Sequence, residues 1–253
     1  MIDVAGNLAR VRERISRAAE RAGRAPDDVL LVGISKLVDV ERIRSALAAG
    51  LGVLGENRVQ EAKEKIRVIG RPVPWHLVGH LQTNKARDAV LLFDLIHSVD
   101  RLDLARALER RARDLDKVAD VLVQVNVAGE ATKGGFAPSE LKGALEALGG
   151  FPGLRVCGLM TIPPPVESAA MARRWFRWLR ELRDEAGLEH LSMGMSGDFE
   201  VAVEEGATMV RVGTAIFGPR ESLGGGLRPP SEAPPRVARA KPAPESEAEP
   251  GSE

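Results

Sequence analysis

The chain has 253 residues, 44% of them hydrophobic, with 36 Lys plus Arg balanced by 36 Asp plus Glu. Zero formal net charge gives no support for a nucleic-acid or anionic-membrane partner, because phosphate-backbone binding needs a clustered basic surface. The lone Cys157 excludes an internal disulfide; with a charged N-terminus, no secretory apolar core and no apolar run of bilayer length, it points to the cytoplasm.

An amphipathic helix is expected over residues 3–22. A β-branched run follows at 29–35 (Val-Leu-Leu-Val-Gly-Ile-Ser) and ends on Lys36. Further short strands are expected at 53–55, 75–79, 95–99, 121–127, 154–160, 190–193 and 209–213. Segments of helical period lie between them, at 40–49, 58–69, 101–115, 139–148 and 169–186. Asp39, Thr83 or Asn84, Asp100 and the Pro138-Ser139 pair are the expected helix starts. Beyond the repeats, a Pro/Glu/Ala-rich segment over 223–253 carries prolines at 229, 230, 234, 235, 242, 244 and 250. It lacks the apolar residues to offset its ordering entropy, so it reads as a disordered tail after a folded unit over 1–222.

Eight strands alternating with helices predict a (β/α)8 barrel. A doubly wound open sheet is the competitor, but it usually advertises a glycine-rich turn after strand one, where this chain has Ser35-Lys36-Leu37. Barrel sites collect at the C-terminal ends of the strands. Those ends carry Lys36, Asn57, Gly79-His80, Asn126, Met160-Thr161, Ser196 and Gly213-Thr214. Lys36 emerges from a buried run, where partial desolvation would disfavour its ammonium form and suit a Schiff-base amine; a lysine simply reaching for solvent is the bland alternative. Alternation along 209–213 places Met209, Arg211 and Gly213 on the inner face. Gly213 and Thr214, opening a short helix, with Ser196 opposite, form a candidate phosphate cup. Arg211 inside a barrel is costly unless paired, either with a ligand or in a structural salt bridge. A Schiff-base lysine, a phosphate cup and a buried arginine together suggest pyridoxal 5'-phosphate.

The remaining chemistry-bearing residues read blandly. His76, His80, His97 and His190 lack partners at metal-ligand spacing. Cys157 reads as an inert core residue, and Trp175, Phe176, Trp178 and Leu179 as a helix face covering the barrel.

Several segments resemble the YggS/PROSC family of pyridoxal phosphate homeostasis proteins. They are Val32-Gly-Ile-Ser-Lys36, Gly55-Glu-Asn-Arg-Val-Gln-Glu61, Trp75-His-Leu-Val-Gly-His-Leu-Gln-Thr-Asn-Lys85 and His97-Ser-Val-Asp100. In the same order follow Gln124-Val-Asn-Val127, Lys133-Gly-Gly-Phe136, Gly158-Leu-Met-Thr161, Leu191-Ser-Met-Gly-Met-Ser196 and the segment 209–218. The resemblance covers nearly everything from residue 1 to about 220. It implies a barrel similar to the alanine racemase N-terminal domain, with Lys36 carrying the cofactor. It also implies Ser196, Gly213 and Thr214 at the phosphate, Arg211 near the pyridine nitrogen and Asn57 beside the ring, with His80 and Met160 as further contacts. The role implied is storage, buffering or delivery of the cofactor, with no robust turnover; dependent apoenzymes are the expected partners, and the chain is expected to act as a monomer.

Two features favour binding over catalysis. An arginine at the pyridine nitrogen disfavours ring protonation and weakens the electron sink. Racemases of similar architecture use two bases, one a tyrosine from a second β domain; this chain contains no tyrosine, and the tail could not build that domain. His80 is the only plausible second base. A weakly active racemase-like enzyme and a cofactor-free Schiff-base aldolase remain the rival readings at this stage.

Overall fold

The computed structural model describes residues 2–130, 132–165 and 167–219; the expected tail over 223–253 lies outside them. Eight parallel strands, β1 (Leu30–Ile34), β2 (Leu54–Glu56), β3 (Trp75–Leu77), β4 (Leu95–Val99), β5 (Ala119–Gln124), β6 (Leu154–Met160), β7 (His190–Ser192) and β8 (Met209–Val212), close into a barrel in sequence order. β1 closes on β8 in register, with Leu30 opposite Met209 and Val32 opposite Arg211. An α-helix follows every strand: α2 (Val40–Ala48), α3 (Val59–Ile69), α4 (Ala86–Leu92), α5 (Leu102–Asp114), α6 (Leu141–Gly149), α7 (Ala169–Glu185), α8 (Phe199–Glu204) and α9 (Thr214–Phe217).

The opening helix α1 (Val4–Arg21) buries Val4, Leu8, Val11, Ile15, Ala18 and Ala19, one stripe at helical spacing. That stripe packs on α8, α9 and α2. Asp3 starts α1 by accepting from the Gly6 N–H at 2.8 Å, and Asp39 starts α2 by accepting from the Arg42 N–H at 2.8 Å. Asp100 does not cap α5, whose preceding residue is Arg101 and which lacks a side-chain cap. The Asp100 carboxylate is instead occupied by His80 and Arg101.

Strand alternation divides the apolar residues into two bodies. Val121, Val123, Leu159, Leu191, Val210 and Val212 face outward into the main core beneath the helices. Leu95, Leu122, Met160 and Met209 form a separate small cluster inside the barrel. Above this apolar floor the interior turns polar, with His76, His97, Ser192 and Arg211 all buried. The strand ends fall earlier than the apolar runs in several places. Near the mouth the chains diverge, and the Asn126 N–H, for example, goes to Phe136 O in the loop after β5 rather than to a neighbouring strand. The six-residue α8 was not anticipated, being shorter than two helical turns of legible period.

Candidate functional site at the barrel mouth

At the C-terminal end of the strands lies a cavity of about 310 Å3 lined by Lys36, Asn57, Ser196, Arg211, Gly213 and Thr214. Ile34, Val78, Ile162, Met195 and Gly197 complete the wall. A larger groove, about 590 Å3, lies under α1 beside the start of β1. Its Arg12 guanidinium is already engaged by Ala49 O and Gly50 O.

Six of the eight residues expected at the site therefore surround one space. Two do not. Met160 is fully buried in the apolar floor with Leu95, Leu122 and Met209, below the mouth. His80 lies at the exposed rim, where its Nδ1 is 2.9 Å from Asp100 Oδ2, and it does not line the cavity. Ile162, Val78 and Met195 were not anticipated as wall residues; only closure of the barrel brings these loop positions to its mouth.

Lys36 lies in the turn after β1 and is only part-buried. Among the described residues its amine engages no protein group, and neither do the Asn57 amide side chain and the Thr214 hydroxyl. Asn57 reaches its position because residue 79 is glycine: a Cβ there would sit 2.2 Å from Asn57 O. Opposite, Gly194 (φ +88°) turns the chain out of β7. Asp198 holds the following loop by accepting from the Met195 N–H at 2.6 Å, and burial pushes its carboxyl up from the ordinary carboxylate value. The backbone amides of Ser196, Gly197, Gly213 and Thr214 find no acceptor among the described residues, while Ser196 Oγ lies 3.5 Å from Ala215 N. Four free amides on two facing loops, two of them at glycines, form a concave anion cradle. Because α9 has only four residues, the cradle owes more to these amides than to a helix dipole.

Arg211 forms the floor of the cavity. It is fully buried, and among the described residues it forms no ion pair. Its Nη1 donates to Ser192 Oγ at 2.7 Å and its Nη2 to Thr161 O at 2.9 Å. Desolvation lowers it to about 10, with the charge of Asp198 opposing that shift. Beyond Ser192 the chain of contacts continues: Ser192 Oγ to His97 Nδ1 at 2.8 Å, and His97 Nε2 to His76 Nδ1 at 3.0 Å. A guanidinium can only donate, so Ser192 Oγ accepts from Arg211, and its own proton is free to point at His97 Nδ1. With that proton so placed, the His97 Nε2–H donates to His76 Nδ1. In that direction both imidazoles are neutral. Burial agrees, pushing His76 down to about 4 and His97 well below the usual imidazole value, the latter helped by the nearby His76 and Arg211. This buried relay was missed in the sequence, although the alternation phase of β3 and β4 could have placed both histidines on the inner face.

On the other flank of Lys36 lies a second polar group. Glu56, at the end of β2, accepts from Ser35 Oγ at 2.7 Å and from Lys65 Nζ at 2.7 Å, and burial raises its carboxyl above the ordinary glutamate value. Among the described residues no group of three or more His, Cys, Asp or Glu side chains is arranged to hold a metal ion. No helix there is long and apolar enough to cross a membrane. Cys157 is half-buried, its thiol held above the ordinary value by desolvation. On α7, Phe176 and Leu179 are fully buried, whereas Trp178 is partly exposed.

The sequence pattern of the alanine racemase N-terminal domain matches residues 6–221. The pyridoxal phosphate homeostasis protein of Aquifex aeolicus is 50% identical over 221 residues, spanning 85% of this chain and 97% of that protein. Among solved structures, PipY of Synechococcus elongatus PCC7942 with PLP bound superimposes with TM-score 0.75 at 38% identity, over 85% of this chain and all of PipY (100%). Alanine racemase of Clostridium difficile 630 shares the fold, with TM-score 0.64 at 20% identity over 86% of this chain and 58% of its own length.

Proposed function

The chain belongs to the alanine racemase N-terminal domain family and, within it, to the pyridoxal phosphate homeostasis proteins, and from that premise we propose that it binds pyridoxal 5'-phosphate through Lys36 and stores, buffers or delivers it without robust turnover. One observation carries the reading. A single cavity of about 310 Å3 gathers a buried arginine with a lysine amine and four backbone amides that have no partner among the described residues, and these are groups able to take a pyridine nitrogen, an aldehyde and a phosphate. That size suits a small cofactor.

Lys36 Nζ would hold the cofactor covalently as a Schiff base, and the bound aldehyde supplies the electrophile for that linkage. The amides of Ser196, Gly197, Gly213 and Thr214, with the Ser196 and Thr214 hydroxyls, would take the phosphate. Val78 and Ile162 offer apolar walls for the ring, and Asn57 a polar edge. Arg211, donor-only and held by Ser192 and Thr161, would face the pyridine nitrogen and keep it unprotonated. An unprotonated pyridine is a poor electron sink, which supports a holding role. The 253 residues contain no tyrosine to serve as a racemase-type second base, and His80, with Asp100 at the rim, does not line the cavity. The clients of such a carrier would be apoenzymes that need the cofactor, the single cysteine suits a reducing cytoplasm, and the barrel would act as a monomer.

The test is the visible absorbance of protein incubated with pyridoxal phosphate and then desalted. Wild type is expected to retain a yellow band that Lys36→Ala lacks. A colourless wild-type protein would sink the cofactor assignment and return Lys36 to an aldolase-type or structural role. Sustained racemisation of free amino acids that depends on Lys36 would replace the carrier reading with the enzyme reading.

A further inference from the structure

We propose that Lys65 is a positioning residue for Lys36, clamping the peptide groups on both sides of it. The proposal rests on the reading of Lys36 as the cofactor lysine. Lys65 lies on α3 with only 8% of its surface exposed. Its ammonium spends its three protons on three oxygens: Ser35 O at 2.5 Å, Glu56 Oε1 at 2.7 Å and Glu61 Oε1 at 2.7 Å. Ser35 O belongs to the peptide group that precedes Lys36. The peptide group that follows Lys36 carries the Leu37 N–H, which donates to the same Glu61 Oε1 at 2.6 Å. One ammonium thus fixes the planes before and after the Lys36 Cα.

The backbone conformation shows why a clamp is needed. Leu37 has φ +57°, the left-handed region that a leucine rarely adopts, and its side chain is exposed, at 48%. Packing of its own side chain therefore does not hold the turn. Hydrogen bonds do: the Val38 N–H donates to Ser35 O at 2.9 Å across the turn, the Leu37 N–H donates to Glu61, and Ser35 is further held by Lys65, Gly55 and Glu56. Released from the clamp, the turn would rest on the Val38–Ser35 bond, Leu37 would be freer to relax toward negative φ, and the Lys36 stem would lose its fixed aim into the cavity. The cluster reaches a second cavity residue as well, since the Asn57 N–H donates to Glu56 Oε2 at 3.2 Å. A solvent-exposed Glu-Lys pair one helical turn apart would do none of this; here Lys65 is buried, Glu61 is half-buried, and the pair is bonded across to the turn after β1 and to β2.

Capture of the aldehyde forms a C=N bond between Lys36 Nζ and the carbonyl carbon, and the carbonyl oxygen leaves as water with the two amine protons. No redox partner is involved. The step depends on where Nζ sits, whereas seating of the phosphate and ring depends on the opposite wall of the cavity. The two are separable with pyridoxamine phosphate, which has the same phosphate and ring but no aldehyde for Lys36 to capture.

The experiment compares the full-length wild type with Glu61→Ala, Lys65→Met and Lys65→Arg, measuring equilibrium affinity for pyridoxal phosphate and for pyridoxamine phosphate alongside the melting temperature. Glu61→Ala removes the Leu37 anchor and leaves the buried Lys65–Glu56 pair in place, so it tests the clamp even where Lys65→Met does not fold. The expected result is a loss of roughly tenfold or more in pyridoxal phosphate affinity for Glu61→Ala and Lys65→Met. Pyridoxamine phosphate affinity should stay within about twofold, and Lys65→Arg should recover part of the loss. An equal loss of both ligands would assign Lys65 to general stability alone, and no loss of either would remove it from the site; both overturn the proposal while leaving the cofactor reading intact. Wild type that binds pyridoxal phosphate no better than pyridoxamine phosphate would instead overturn the covalent reading, and the clamp with it.

Discussion

Two cations are buried at the mouth of this barrel, and they are accommodated in opposite ways. Lys65 is neutralised by two carboxylates, Glu56 and Glu61, and its third proton goes to a backbone carbonyl. Among the described residues Arg211 donates only to neutral acceptors, Ser192 Oγ and Thr161 O, and its one charge partner, Asp198, acts at a distance without an ion pair. The Lys65 cluster is closed, with every proton of the ammonium used. The Arg211 arrangement is open: a guanidinium has five N–H donors, the described residues engage two of its nitrogens, and the group lines the cavity. A closed ionic cluster belongs to the scaffold, whereas an open one keeps charge and hydrogen-bonding capacity for a ligand. Burial makes both costly, but only the second leaves something for an anion or a lone pair to complete.

The largest expected consequence of the difference is in stability. Lys65→Met removes one partner of a buried pair and leaves Glu56 fully buried without its counter-ion, at a cost of about 3–5 kcal/mol. Thermal unfolding followed by circular dichroism should show a fall in Tm of roughly 10 °C. The effect should also depend on pH. Burial already raises the Glu56 carboxyl, and loss of Lys65 raises it further. A carboxyl raised in the folded state is destabilising while ionised, and that penalty disappears as pH falls through its folded value. The Tm gap from wild type should therefore narrow as pH falls through that raised value. A gap that stays constant with pH would mean that Glu56 is not the group left unpaired.

The neutral relay attached to Arg211 makes the opposite acid response, and a smaller one. His76 is lowered to about 4 in the folded protein, below the ordinary imidazole value of 6.5. The stability it contributes is complete above that ordinary value and is lost as pH falls toward the folded one. By about pH 5 the loss is roughly 2 kcal/mol. His97, lowered in the same direction, adds to it. His76→Asn keeps an acceptor for the His97 Nε2–H but cannot take up a proton. Its Tm should decline less steeply than that of wild type below about pH 6.5, and parallel Tm-against-pH curves would contradict a neutral buried His76.

The two regions also differ in how far the sequence announces them. The eight-strand repeat, the barrel and the placing of Lys36, Asn57, Ser196, Gly213 and Thr214 at its mouth follow from periodicity and from the rule that strand ends carry the site. Arg211 followed from alternation in β8. The same rule overreached at Met160, which stands at the end of β6 but on the level of the apolar floor, and at His80, which lies beyond β3 where Asp100 draws it to the rim. The Lys65 cluster was invisible for another reason. In sequence Glu61 and Lys65 are an ordinary pair one helical turn apart, and nothing local reports that α3 folds that face onto Ser35 and Glu56. His76, His97 and Ser192 were each legible as inward positions, but their register against one another is set by barrel closure and not by any one strand.

The smallest expected stability change, and the sharpest test of the comparison, is Arg211→Met. Methionine occupies a similar volume and carries no charge, so the substitution removes a desolvated cation instead of stranding one. Ser192 Oγ keeps His97 as its partner, and only the Thr161 carbonyl loses its donor, a penalty of about 1–3 kcal/mol that removal of the buried charge offsets in part. The expected fall in Tm is therefore no more than about a third of that for Lys65→Met, while the visible band retained with pyridoxal phosphate should shift in position or diminish, because the pyridine nitrogen loses its donor. If Arg211→Met instead destabilised the protein as much as Lys65→Met with the band unchanged, Arg211 would be a structural cation with nothing reserved for a ligand, and the contrast between a closed and an open buried cation would fail.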